Sequence, residues 1–195
     1  MAKKAKKKAV AKKKAVPKKK AAPKKKVVVK KKVAVKAAPK QDALAKRVQI
    51  LEDRQAICDL KALYAEICDD KYNPDRMMPL FTEDAIWDGG PKLGRYEGKK
   101  AIREFFTNVS SGIVFAIHYF IQPTRLVVKG NTATGSWYMW MVGTMGSGKA
   151  GWLAGTEDEV YQKVNGKWLF KELKLNLLFA TPYESGWHKD QFGVL

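Results

Sequence analysis

Apolar residues recur at helical spacing between residues 44 and 68. Most of them stand three or four positions apart, which places them on one face of an α-helix. Asp42 precedes the first of them and is a favourable N-cap residue. The pattern therefore predicts one long helix that begins near Asp42 and ends at the Asp69-Asp70 pair. Its buried face is formed by Leu44, Val48, Leu51, Ile57, Leu60, Leu63, Tyr64 and Ile67.

Two shorter helices are predicted after the long one. Asn73-Pro74 opens a helix over residues 75–81, and a third helix covers residues 99–108. A short strand over residues 85–87 and a glycine-rich loop over residues 89–94 separate them. The apolar residues expected to face inward from the two helices are Met77, Met78, Leu80, Phe81, Ile102, Phe105 and Phe106.

The remainder of the chain has the pattern of strands, predicted over residues 115–122, 125–128, 132–142, 152–164 and 167–179. Pro123 indicates a bulge, and Asn165-Gly166 is a strong hairpin signal. The glycine-rich stretch 143–151 is interpreted as a hairpin loop. Helices followed by a meander of long strands indicate an α+β fold. We expect a curved antiparallel sheet and three N-terminal helices to form a cone-shaped barrel with an apolar pocket.

The positive charge of the chain is confined to its first 40 residues. The formal net charge is +19, and residues 1–40 hold 19 lysines and no acidic residue. The other 19 basic residues are balanced by the 19 acidic residues of the remainder. The sequence thus divides into a basic tail (residues 1–40) and a neutral α+β domain (residues 41–195).

Lysine triplets in the basic tail repeat every six residues and are separated by Ala, Val and Pro. Such a composition predicts a disordered, extended segment. It is similar to the Lys/Ala/Pro tails of linker histones and bacterial histone-like proteins. Lysine runs neutralise phosphates without reading sequence, so non-specific nucleic-acid binding is expected. An acidic protein, a membrane surface or a purely solubilising role are the alternatives. The triplets begin at Lys6, Lys12, Lys18, Lys24 and Lys30.

The chain has no predicted signal peptide or membrane span, because its apolar runs are too short. The expected location is cytoplasmic, with nucleoid association through the tail as an extension. Cys58 and Cys68 fall in one predicted helix, about 15 Å apart, which is too far for a disulfide. Neither has metal-ligand spacing with a histidine, so buried free thiols and no metal site are predicted.

One histidine lies inside an apolar strand. The chain has two histidines, and His118 is flanked by the apolar residues of segment 115–121, whereas His188 lies in a polar C-terminal segment. A buried imidazole needs a hydrogen-bond partner. From the residues alone, His118 is either a core histidine bonded to a backbone carbonyl or a base that faces the pocket.

Six segments in a fixed order resemble the SnoaL-like branch of the nuclear transport factor 2-like superfamily. The resemblance covers about residues 45–180 and implies a cone-shaped α+β fold, often dimeric through the outer face of the sheet. The segments are Ile57–Leu60 with Tyr64 and Asp69, Leu80–Ala85, Gly94–Gly98, His118, Thr134–Trp137 and Asn165–Trp168.

Within that superfamily the chain is most similar to scytalone dehydratase, hexachlorocyclohexane dehydrochlorinase and bile acid dehydratase. The resemblance implies that His118 acts as general base and that Asp69 orients it, with Asp70 as the competing assignment. Tyr64 matches a tyrosine that touches substrate in some members. The implied activity is that of a lyase or isomerase that needs no cofactor and acts on a small hydrophobic substrate.

The pocket prediction includes both aromatic and polar residues, namely Phe81, Trp87, Trp137, Trp140 and Asn176. Family dehydratases often add an arginine from the last strand and a second aspartate from a middle strand. This chain has neither, and Lys174 or Asn176 are the substitutes that the last strand offers. Two hypotheses follow: an enzyme, or a non-catalytic ligand-binding or dimerisation module tethered to nucleic acid by its tail.

Overall fold

The computed structural model describes residues 39–193. The lysine triplets of the basic tail, predicted to bind nucleic acid, lie outside these residues. The elements are α1 (Pro39–Asp69), α2 (Pro74–Met77), a 3-10 turn (Met78–Leu80), β1 (Phe81–Asp88), α3 (Gly90–Leu93), β2 (Arg95–Glu97), α4 (Gly98–Gly112), β3 (Ile113–Lys129), β4 (Thr132–Met145), β5 (Ala150–Val164), β6 (Lys167–Pro182) and α5 (Gly186–Lys189).

The strands form one curved, unclosed sheet in the order β2-β1-β6-β5-β4-β3. The long strands β3 to β6 pair antiparallel as a meander, and β1 joins β6 in parallel. The α+β class is confirmed. The predicted curved antiparallel sheet is confirmed for most of its strands, and the exception is the parallel pair of β1 and β6.

The predicted elements differ from the observed ones mainly around proline and in short segments. The helix predicted over residues 75–81 is only α2 and a 3-10 turn, since Pro79 cannot donate a helical hydrogen bond. Phe81 therefore begins β1 and does not end a helix. The three-residue strand β2 has too few positions to show a period, and it was not predicted.

Strand β3 passes through Pro123 without ending. Its pairing with β4 shifts between Ile121 and Arg125, which confirms the bulge predicted at the proline. The Asn165-Gly166 hairpin is also confirmed, with both residues at positive φ, as the tight turn between two twisted strands requires.

The core lies between the inner face of the sheet and the helices. Phe81, Phe106 and Phe170 are almost fully buried there and are in mutual ring contact through Phe81. The first turns of α1 lie outside this core, since Leu44 and Leu51 are exposed. None of the helices in residues 39–193 combines the length and apolar character needed to cross a membrane.

Candidate active site

Helix α1 ends in a tight turn that directs two polar side chains toward β3. Asp69 is the last residue of the helix. Lys71 and Tyr72 follow at φ 53° and φ 54°, a left-handed conformation that non-glycine residues seldom adopt. Such conformations store about 1–3 kcal/mol each and concentrate at functional sites. The turn brings the Asp69 carboxylate and the Tyr72 phenol to opposite edges of one imidazole ring.

Asp69 binds His118 through two hydrogen bonds. Its Oδ1 lies 2.8 Å from His118 Nδ1 and 2.8 Å from the backbone nitrogen of the same residue. Asp70, the competing assignment, instead accepts a hydrogen bond from Arg76 at the surface, at 2.8 Å. The geometry thus brings Asp69 to the histidine. A carboxylate on Nδ1 favours the tautomer with its proton there, which leaves Nε2 as an acceptor.

The other ring nitrogen of His118 is occupied by Tyr72. The phenol oxygen lies 2.6 Å from Nε2. Burial raises the pKa of Tyr72 well above its ordinary value, so the phenol stays protonated and donates to Nε2. No periodic pattern in the sequence indicated Tyr72, because a left-handed turn follows no helical or strand repeat. The sequence feature that could have pointed to Tyr72 was its position three residues after Asp69.

The imidazole of His118 is neutral at physiological pH. Its side chain is only 6% exposed, and burial lowers its pKa, although the hydrogen bond and charge of Asp69 act in the opposite direction. Burial disfavours the charged form of a histidine, and here it outweighs the opposing effect of Asp69. A neutral imidazole that holds a carboxylate on one nitrogen and an acceptor site on the other can take up a proton.

A cavity of about 270 Å³ opens beside the hydrogen-bonded side chains of Asp69, His118 and Tyr72. Its wall is largely apolar, with polar groups from Tyr64, Tyr72, His118 and Glu157. The apolar part of the wall is formed mainly by Trp87, Phe105, Phe106, Met139, Met141 and Leu153. A small apolar cavity with a few convergent polar groups is the usual form of a ligand site.

Some of the predicted pocket residues line this cavity and some do not. Tyr64 and Trp87 line it, and the Trp87 indole donates to the Tyr64 hydroxyl at 3.4 Å. Phe81 and Trp137 are buried in the core but are not part of the cavity wall.

Trp140 and Asn176 lie on the outer face of the sheet. Trp140 packs there against Trp152 and Trp187, and the Asn176 amide donates to Asp158 at 3.1 Å. Successive strand residues face opposite ways, and Met139 and Met141 occupy the inward positions on either side of Trp140. Lys174 is likewise exposed, so neither proposed substitute for the family arginine reaches the cavity.

The sequence profile of the SnoaL-like domain matches residues 49–174, which is well over half of the chain. The chain belongs to the SnoaL-like domain family. A comparison with curated proteins finds no significant match.

Solved structures share the fold of this SnoaL-like domain. A protein of Novosphingobium aromaticivorans, provisionally named an aromatic ring hydroxylase, is 30% identical over 68% of this chain and 94% of its own, with a TM-score of 0.64. Hexachlorocyclohexane dehydrochlorinase LinA-type3 of Novosphingobium barchaimii is 25% identical over 68% and 90%, with a TM-score of 0.60. A N. aromaticivorans protein provisionally named a scytalone dehydratase is 21% identical over 68% and 89%, with a TM-score of 0.63. The same fold is found in a nuclear transport factor 2-like protein of Salmonella enterica.

The SnoaL-like domain also buries a charged network beneath its cavity. The Lys61 ammonium contacts the carboxylates of Glu157 and Glu159, and all three side chains are almost completely inaccessible to solvent. Tyr161 donates to Glu159 and in turn accepts from the Trp137 indole at 2.8 Å. Sequence reasoning missed this network. Its signal was a pair of acidic residues two apart on a strand, with both side chains on one face.

The network holds an extra proton at neutral pH. Burial raises the pKa of Glu159 to about 8, and the positive charge of Lys61 only partly opposes this effect. Burial lowers the pKa of Lys61, but the two glutamates outweigh it and leave the pKa raised. Protonation of Glu159 beside the Lys61 ammonium reduces the negative charge held in the buried site, which lowers the cost of burying the network.

Proposed function

We propose that this SnoaL-like domain is a lyase of the dehydratase type, which uses the His118–Asp69 dyad on a small hydrophobic substrate without a cofactor. The observation that carries the proposal is a buried, neutral imidazole, fixed by a carboxylate at 2.8 Å, in the wall of an apolar cavity. Removal of a proton next to a carbonyl or leaving group needs such a base, and the Asp69 charge would stabilise the imidazolium that forms.

Two structural neighbours support an elimination reaction. One is named a dehydrochlorinase and the other provisionally a dehydratase; both names describe loss of a proton together with a leaving group. In this chain, the hydroxyl of Tyr64 and the carboxylate of Glu157 are the polar groups available to hold a substrate hydroxyl or carbonyl. We assign Tyr64 to substrate contact on that basis.

The cavity limits the size of the substrate. Its volume of about 270 Å³ lies just below the range of about 300–1,000 Å³ that is usual for small-molecule sites. The wall is aromatic and sulfur-rich near Trp87, Phe105 and Met141. A compact molecule of one or two rings that carries one or two polar groups fits these dimensions.

The experiment uses two eliminations as probes. 3-Hydroxy-1-tetralone loses water to give fluorescent 1-naphthol, and γ-hexachlorocyclohexane loses hydrogen chloride to give measurable chloride. We expect turnover of at least one probe and a fall of roughly 10²–10⁴-fold in kcat for Asp69→Asn, because a neutral amide lacks the charge that stabilises the imidazolium as it forms. Asp70→Asn is the matched control and should retain full activity. Failure of wild-type protein to turn over either probe, or full activity in Asp69→Asn, would refute the proposal.

The basic tail is the separate basis for a second role, in nucleic-acid binding. Nineteen lysines without an acidic residue in residues 1–40 are suited to phosphate neutralisation. A homodimer would present two tails and gain avidity. Exposed apolar residues on the outer sheet face, among them Ile121, Val127 and Tyr138, support such a dimer.

Deletion of residues 1–40 tests the tail. We expect the full chain to bind duplex DNA without sequence preference, with an affinity that falls steeply as salt rises. The truncated chain should lose this binding and keep its probe turnover. Retention of DNA binding by the truncated chain, or an affinity that hardly changes with salt, would contradict the proposal.

A further inference from the structure

We propose that Tyr72 is a catalytic residue, and that its phenol oxygen, not His118 Nε2, receives the proton of the substrate. Tyr72 lies at the end of a hydrogen-bonded chain that runs from Asp69 through His118. This inference rests on the proposed elimination reaction and identifies the atom that performs its first step.

The position of the Tyr72 phenol prevents a substrate from reaching Nε2 of the His118 imidazole directly. The in-plane lone pair of Nε2 is the basic site of a neutral histidine, and the Tyr72 oxygen lies 2.6 Å away from it. No substrate atom fits between two atoms at that distance. The phenol oxygen keeps a lone pair after it donates to Nε2, and Tyr72 is part of the cavity wall.

The surroundings of Tyr72 hold the phenol in place. Its ring stacks on Phe106, with centroids 5.9 Å apart and planes within 19°, and stands edge-on to the His118 ring at 5.3 Å. The side chain is buried. Its backbone belongs to the left-handed turn that follows α1. A ring packed on two sides is suited to a fixed chemical role and not to that of a swinging gate.

The proton transfer involves three groups, namely the substrate, the Tyr72 phenol and the His118 imidazole. The substrate C–H bond breaks and its electron pair enters the new carbon–carbon double bond as the leaving group departs. The proton forms a bond with the phenol oxygen, while the original phenol proton moves to Nε2. The imidazolium that results lies against Asp69. Return of that proton through the phenol to the departing hydroxide, or to water, restores the resting state.

This route avoids a free phenolate. Burial raises the pKa of Tyr72, so a phenolate standing alone in the cavity would be strongly disfavoured. In the concerted transfer the phenol is neutral before and after the step. The charge that develops on the protein is placed on His118, beside the Asp69 carboxylate that stabilises it.

Tyr72→Phe tests the assignment, with turnover of the two elimination probes as the measurement. We expect kcat to fall roughly 10²–10⁴-fold, since the variant lacks the atom that receives the proton. Tyr119→Phe is the matched control. Tyr119 is the neighbour of His118 on β3 but is exposed on the outer face, and its removal should leave turnover unchanged.

The outcomes separate this inference from the proposed function. Equal or faster turnover in Tyr72→Phe, together with loss of turnover in His118→Ala, would refute the role of Tyr72 and leave His118 as the direct base. If the wild-type protein turns over neither probe, both proposals fall.

A second measurement separates a chemical role of Tyr72 from a structural one. 3,5-Difluorotyrosine keeps the size of tyrosine but has a more acidic phenol. When it replaces Tyr72, the pH–rate profile should shift toward lower pH; when it replaces Tyr119, the profile should not move. An unshifted profile with difluorotyrosine at residue 72 would overturn the assignment.

Discussion

Replacement of Lys61 by methionine is expected to destabilise the domain by about 3–5 kcal/mol at pH 8. The substitution conserves much of the side-chain volume but removes the cation that contacts both Glu157 and Glu159. Lys61 is 1% exposed, and its ammonium lies 2.5 Å from the Glu159 carboxylate. The buried carboxyl groups would then have no counterion, so any negative charge that they carry is unpaired, which is among the most unfavourable changes a core can undergo. Urea denaturation monitored by tryptophan fluorescence measures the effect.

The pH dependence of this variant identifies electrostatics as the cause. The pKa of Glu159 is raised to about 8 in the folded protein, above its ordinary value of about 4.3 when unfolded. A carboxyl group of this kind stabilises the fold fully below its unfolded pKa, and this contribution is lost as pH rises through the folded pKa. Without Lys61 the carboxyls are still harder to ionise, so the loss of stability should shrink steadily from pH 8 to pH 5.

Two control variants test whether charge, and not packing, causes the loss of stability in Lys61→Met. Lys99→Met removes a lysine whose partner Glu83 is exposed, 2.7 Å away, and should change stability by less than about 1 kcal/mol. The triple variant Lys61→Met/Glu157→Gln/Glu159→Gln has no buried charge left, and it should recover much of the stability lost by Lys61→Met. A loss that is the same at pH 5 and pH 8, or that persists in the triple variant, would mean that packing and not charge is responsible.

The buried Lys61 network and the hydrogen-bonded chain around His118 were not equally predictable from the sequence. Lys61, Glu157 and Glu159 are charged residues, and charged residues are almost never fully buried unless paired. Their pairing joins α1 to β5 across about 100 positions of the chain. Spacing along the sequence places the two glutamates on one face of a strand but carries no information on their contact with Lys61, so the network became visible only with the three-dimensional fold.

The pairing of His118 with Asp69 could be predicted because two independent signals coincided. One was an isolated histidine in an apolar strand, and the other was the resemblance to a family that uses an aspartate at the end of its first helix. Trp140 shows the limit of strand patterns. The strand repeat requires neighbouring residues to face opposite ways. In a strand rich in aromatic and sulfur-containing residues, it does not decide which of the two alternating sets of side chains faces inward.

Tyr72 depends on local backbone geometry that no periodicity encodes. A helix that ended one residue later, or a turn with negative φ at residues 71 and 72, would direct the phenol away from the imidazole. The structural difference between a dyad and a chain of three groups is therefore a single turn. The turn therefore determines whether a substrate would meet the imidazole of His118 directly or the phenol of Tyr72 first.

Replacement of His118 by alanine is expected to reduce probe turnover by roughly 10²–10⁴-fold or to the background rate. The phenol of Tyr72 would lose its acceptor, and Asp69 would lose the ring that it orients. The fold should persist, since the imidazole borders a cavity and bears no buried charge. His188→Ala, which removes the histidine exposed in α5, is the matched control and should leave turnover unchanged.

Two further measurements make the His118→Ala result specific. The pKa of His118 is lowered by burial, so the unfolded chain binds a proton at this site before the folded chain does. The contribution of His118 to wild-type stability should therefore decrease as pH falls below the unfolded value of about 6.5, so the difference in stability between wild type and His118→Ala should change over this pH range. Added imidazole can occupy the vacated space between Asp69 and Tyr72, and partial recovery of turnover would show that the ring itself is required. Turnover by His118→Ala at the wild-type rate would remove the histidine from the mechanism altogether.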